Sequence, residues 1–101
     1  MSGVSYPYRY AYETVAASQT AQVLGGAGAK GDFLYQMIVT VNTAATSTVS
    51  ILDGATSIAL MPANTPIGVY SLDIELASAN GAWSVTTGAG VTVIGCGIFS
   101  V

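Results

Sequence analysis

The chain has 101 residues, 51% of them hydrophobic and only 7% charged, with a formal net charge of -3. That length holds one domain and one core, and charge this sparse, against about 25% in an ordinary soluble domain, suits a surface covered by partners better than one that repels its neighbours. Two cations, Arg9 and Lys30, cannot neutralise a row of phosphates, which argues against nucleic acid as a partner, and a chain with no His and one Cys, Cys96, offers neither a zinc ligand set nor an internal disulfide.

In chain order, residues 1–13 read as an extended arm. Tyr6, Tyr8, Tyr10 and Tyr12 recur at every second position, with Pro7 and Arg9 between them. Extended backbone places such a row on one face, and Pro7 argues against a central strand. The segment lacks the basic region and apolar run of a secretory signal. The chain nowhere has about 18 uninterrupted apolar residues, so no membrane partner is expected. Synthesis in the cytoplasm is the default expectation.

A single domain is expected over residues 14–101. Glu13 to Leu24 lacks a helical stripe at i, i+3, i+4 and is read as strand. Gly25 to Gly31 is a glycine-rich connection, read as flexible, with Lys30 and Asp32 forming a local ion pair worth about 1 kcal/mol or less. Phe33 to Val41 is apolar on both faces and rich in β-branched and aromatic residues, so it predicts a central strand covered on both sides. Thr48 to Ile51 alternates and ends at Asp53-Gly54, the pair that supplies the positive φ angles of a tight hairpin turn. Ala55 to Met61 returns, stopped by Pro62. In Tyr70 to Leu76 the apolar residues again alternate, leaving Asp73 and Glu75 on a wet face. Trp83 to Thr87 and Val91 to Val101 complete the set. In the last of these, Gly95 and Gly97 share one side and leave room for a close neighbour, for which Trp83 or another sheet is the candidate. Turn clusters at regular intervals separate about seven to eight short strands, the signature of an antiparallel β-sandwich or barrel.

Chemical motifs are few. Gly26-Ala27-Gly28-Ala29-Lys30-Gly31 matches G-x-G-x-x-G. A strand-like run follows where a dinucleotide fold needs a helix N-terminus, so the match is read as chance. Without His the usual general base is missing. Asp73 and Glu75 lie about 7 Å apart by strand rise, but a glycosidase cleft needs more chain than this. No catalytic residue, cofactor or metal ligand is assigned. Trp83 reads as a core anchor between two sheets.

Taken together, Gly28-Ala29-Lys30-Gly31-Asp32-Phe33-Leu34, Ile51-Leu52-Asp53-Gly54 and Gly81-Ala82-Trp83-Ser84-Val85-Thr86-Thr87-Gly88 resemble small capsid decoration, or cement, proteins of tailed bacteriophages. The resemblance runs from about Thr14 to the C-terminus. It implies a jelly-roll-like sandwich without an active site. It also implies a homotrimer bound to the major capsid protein on the exterior of the virion, after synthesis in the host cytoplasm. The arm lies outside it; its tyrosines suit docking on another surface. Tyr6, Tyr8, Arg9, Tyr10 and Tyr12 are therefore the candidate capsid-binding residues. The alternative is a carbohydrate- or receptor-binding module of a phage head fibre or tail, with the arm tyrosines or Trp83 as its stacking platform.

Overall fold

The period-two patterning resolves into eight strands: β1 (Ala11–Val15), β2 (Gln22–Val23), β3 (Phe33–Val41), β4 (Val49–Asp53), β5 (Thr56–Met61), β6 (Gly68–Ala77), β7 (Trp83–Thr86) and β8 (Val91–Ile98). This computed structural model describes residues 10–43 and 48–100, and no helix occurs among them. The strands form two antiparallel sheets of four, in the orders β1-β8-β3-β6 and β2-β7-β4-β5. That interleaving is the pair of Greek keys of an eight-stranded jelly roll, so the expected sandwich is the fold this chain adopts.

Inward residues from both sheets build one core. In β4 and β8 the expected alternation is complete: Val49 and Ile51 are buried, as are Val91 and Val93, while the residues between them are half-buried. Each fully buried aliphatic side chain of this kind contributes about 1.5–3 kcal/mol. Trp83 is the largest buried side chain, at 2% exposure, and its indole Nε1–H donates to the Asp32 carbonyl at 2.9 Å.

Several expectations change in the folded chain. The boundary drawn after residue 13 falls inside β1, because Ala11, Tyr12 and Glu13 pair with Gly97, Cys96 and Gly95 of β8. Among the described residues the sandwich therefore begins at Ala11. The Glu13–Leu24 segment divides between the end of β1 and the short β2, with a turn between them. That turn is stapled by Thr87, whose Oγ1 accepts from the Gln19 amide and donates to the Ala16 carbonyl. Gly95 and Gly97 do share one side, but a Cβ there would meet Leu24 and Phe99 rather than Trp83.

The turn at Asp53-Gly54 is displaced by one residue. Asp53 pairs with Thr56, so Gly54 and Ala55 form the two-residue loop. Gly54 alone carries a positive φ, 60°, as a type II′ hairpin requires at its first position. A Cβ on Gly54 would also lie 2.8 Å from the Asn80 carbonyl oxygen.

β3 is covered on one side only. Leu34, Met37, Val39 and Val41 are fully buried, whereas Ile38 and Thr40 on the other face are half-buried and Tyr35 is exposed. The register of β3 slips at Tyr35 against both of its neighbours, and Glu75 across from it takes a φ of 54°. This bulge breaks the straight alternation that Tyr70 to Leu76 suggests.

Candidate binding surfaces

The two outer faces of the sandwich differ in chemistry. On the β2-β7-β4-β5 sheet, Ser50, Ser57, Ala59 and Thr86 alternate outward, with Val23 and Leu52 beside the nearly covered Ser84. That is an ordinary wet sheet face. The outer face of the β1-β8-β3-β6 sheet carries larger apolar side chains among its polar ones. Tyr12, Cys96, Gln36 and Asp73 form one row across its four strands, and Thr14, Ile94, Ile38 and Ser71 form the next. Ile98 and Phe33 pair at one end of this face, and Thr40 and Val69 pair at the other.

Of the candidate capsid-binding residues, Tyr6, Tyr8 and Arg9 lie outside the described residues. Tyr10 and Tyr12 are 64% and 72% exposed. The Tyr10 ring sits 5.3 Å from that of Tyr35, at a tilt of 50°. The fold thus joins Tyr35, which sequence reading assigned only to a central strand, to Tyr10 of the arm. Its place in the β3 bulge brings it there. The alternating pattern carried no sign of that bulge.

Trp83 is enclosed in the core, so its surface is not available as a stacking platform for a sugar. Asp73 and Glu75 are exposed on the β6 edge. Cys96 is a half-buried free thiol on that outer face, between Tyr12 and Gln36. Among the described residues, no three His, Cys, Asp or Glu side chains gather as a metal site would require.

The glycine-rich connection is pinned rather than loose. Ala27 and Gly28 donate their amides to the Ser100 carbonyl, and Gly31 donates to the carbonyl and hydroxyl of Ser78. The amides of Ala27, Gly28 and Gly31 are thereby turned to the chain's own acceptors and not to a phosphate. Lys30 is exposed, and the Asp32 carboxylate is held by Ala29 and Ser100 instead of by Lys30. Burial pushes the Asp32 pKa upward, but hydrogen bonds from the Ser100 amide, the Ser100 hydroxyl and the Ala29 amide outweigh it and hold the pKa below the ordinary value.

Asp53 was legible only as a turn residue; it is a buried carboxylate that caps the loop before β7. It accepts from the amides of Ala79 and Asn80 at 3.0 and 2.8 Å. The Asn80 amide is the chief cause of its lowered pKa, with burial opposing and the Ala79 and Gly81 amides adding to the effect. Both carboxylates act as internal clamps on loops. A shallow hollow of about 360 Å³ lies beside Asp32, walled mainly by Phe33, Ala77, Ile98 and Phe99, with both Asp32 oxygens already engaged.

No family model matches this chain. No curated protein matches it in sequence.

Proposed function

We propose that this chain is a non-enzymatic structural protein of a tailed-bacteriophage virion, one that binds the outer surface of the capsid and stabilises it as a homotrimer. The observation that carries the reading is the division of labour between polar and apolar groups. The buried carboxylates and several glycine-loop amides are consumed in holding loops, while exposed tyrosines, beside a sheet face that carries Phe33, Ile38, Ile94 and Ile98 among its polar side chains, remain for contact. A jelly roll so equipped is built to hold surfaces together. Tyr10 and Tyr12, with Tyr6, Tyr8 and Arg9 before them, are the proposed capsid contacts, the tyrosines supplying apolar area with a hydroxyl and Arg9 steering approach.

The test is co-sedimentation of the purified chain with capsids of the phage that encodes it. Tyr10→Ala with Tyr12→Ala should weaken binding by at least about tenfold, since interface residues that matter cost above 1 kcal/mol on truncation. Both side chains are mostly exposed, so thermal stability should barely change. Unchanged particle binding by the double variant would refute the docking role. The exposed pair of Tyr10 and Tyr35, with Tyr12 also exposed, favours a second reading, in which these rings stack against a sugar. Saturable glycan binding lost in the same variant, with no capsid binding, would select it.

A further inference from the structure

Asn80 is the one asparagine of this chain that is followed by glycine, and Asp53-Gly54 is the matching aspartate step. Such steps are chemically labile. A glycine nitrogen has no side chain beside it, so it can bond to the carboxyl or carboxamide carbon of the preceding side chain and close a five-membered ring. The fold packs the two steps against each other. A Cβ on Gly81 would lie 2.9 Å from the Gly54 Cα, and one on Gly54 would lie 2.8 Å from the Asn80 carbonyl oxygen. Close approach of the two backbones thus requires glycine at both places, and the architecture keeps both labile steps.

The two are not held alike. Asp53 is buried at the end of β4 with both oxygens engaged. Its Oδ1 accepts from the Ala79 and Asn80 amides, and its Oδ2 accepts from the Ala79 amide at 3.0 Å and the Asn80 side-chain amide at 3.4 Å. The nitrogen that would attack Asp53, that of Gly54, donates to the Ala82 carbonyl at 3.1 Å. Asn80 is instead exposed, in the loop between β6 and β7. Its side chain is tied by the 3.4 Å contact, longer than the roughly 2.7–3.2 Å of a good N–H···O bond. Asn42 and Asn64 are followed by Thr43 and Thr65, whose β-branched side chains crowd the nitrogen.

We propose that Asn80 is a site of spontaneous deamidation, and that its conversion releases the Asp53 clamp. The Gly81 nitrogen loses its proton to water and bonds to Asn80 Cγ. The Cγ–Nδ2 bond breaks, and Nδ2 takes up a proton and leaves as ammonia. A water molecule then opens the succinimide ring. Attack at Cγ gives aspartate. Attack at the backbone carbonyl carbon gives isoaspartate, whose main chain runs through Cβ and Cγ and is longer by a methylene. One water is consumed and one ammonia released, with no oxidant or reductant. Either product loses the donor to Asp53 Oδ2 and sets a second carboxylate beside the first. Isoaspartate also lengthens the chain between the residue 80 amide, which holds Asp53, and Gly81, which packs on Gly54. The β4–β5 turn and the loop before β7 then lose their common fastening. None of this depends on capsid binding.

The test is incubation of the full chain at mildly alkaline pH, where the amide proton is lost faster, with peptide mapping by mass spectrometry and enzymatic methylation of isoaspartate at intervals. Isoaspartate should accumulate at residue 80 while Asn42, Asn64 and Asp53 stay unchanged. The rate should lie within about tenfold of that in a free peptide spanning Ser78 to Ser84, because the fold adds about one hydrogen bond to the barrier. Asn80→Gln, which would need a six-membered ring, should remain unmodified. Asn80→Asp, the direct product, should keep its far-UV circular dichroism. Its Tm should fall by at least about 4 °C at neutral pH, the effect of losing one hydrogen bond in a domain of this size, and the gap should close in acid as the added carboxylate is protonated. Survival of Asn80 while the free peptide is converted, or isoaspartate forming first at residue 53, would overturn the site. A Tm of Asn80→Asp equal to wild type would overturn the release of the clamp.

Discussion

Replacing Trp83 by Phe isolates what the indole contributes to this fold. Trp83 is almost fully buried, and its Nε1–H reaches the Asp32 carbonyl at 2.9 Å. Trp83→Phe removes that donor. The carbonyl keeps a second partner, the Ser78 amide at 2.9 Å, so it is not orphaned. The lost hydrogen bond should therefore cost about 1 kcal/mol, the net worth of a satisfied pair. Shrinking indole to phenyl opens roughly 40 Å³, which at about 24 cal/mol per Å³ adds close to 1 kcal/mol, with a similar loss of transfer free energy. The expected total is about 2–3 kcal/mol, or a fall in Tm of roughly 10–20 °C for a domain of this size. Trp83→Ala would cost about 3–5 kcal/mol, enough to threaten folding of a chain whose whole stability is about 5–15 kcal/mol. Thermal and urea unfolding followed by far-UV circular dichroism, at one fixed protein concentration because self-association shifts apparent stability, provides the measurement. A loss below about 0.5 kcal/mol, the range of an ordinary surface substitution, would refute the picture of Trp83 as the hydrogen-bonded anchor between sheets.

Three further outcomes are expected. Asp32 and Asp53 both have folded-state pKa values below the ordinary 3.8. Their contribution is therefore fully present above the unfolded pKa and is lost as pH falls through the lower folded values. Tm measured between pH 7 and pH 2 should drop in the acid limb, and Asp32→Asn with Asp53→Asn should flatten that limb; an unchanged limb would discount the clamps. Gly54→Ala should destabilise by more than about 1 kcal/mol, since the new Cβ combines a positive φ with a close approach to the Asn80 carbonyl; a variant as stable as wild type in urea would contradict the II′ turn. Nucleotides should neither raise Tm nor bind saturably at micromolar level, because four amides of the G-x-G-x-x-G loop, those of Ala27, Gly28, Ala29 and Gly31, are occupied by Ser100, Asp32 and Ser78; micromolar binding lost in Lys30→Ala would reverse that.

The sequence alone determined the all-β class, because alternation at period two is a local property that each segment carries by itself. It also located most of the turns, through residues such as Gly54 whose backbone freedom is local too. The doubly apolar pattern of Phe33 to Val41 was legible, and half of its meaning held: one face of β3 packs the core, and the other, with Ile38 between Gln36 and Thr40, lies on the outer sheet face. Only the tertiary structure decided which strands are neighbours, since alternation assigns a residue to a face and says nothing of its partner across the sheet. The order β1-β8-β3-β6 depends on contacts between segments distant in sequence. The roles of Asp32 and Asp53 were hidden for the same reason, because Ser100 and Asn80 reach them only when the chain closes. The bulge that sets Tyr35 beside Tyr10, and the exposure of Leu76 across from buried Leu34, likewise arise from how two twisted sheets meet; a strand's own residues record which side faces inward, but not whether anything covers it.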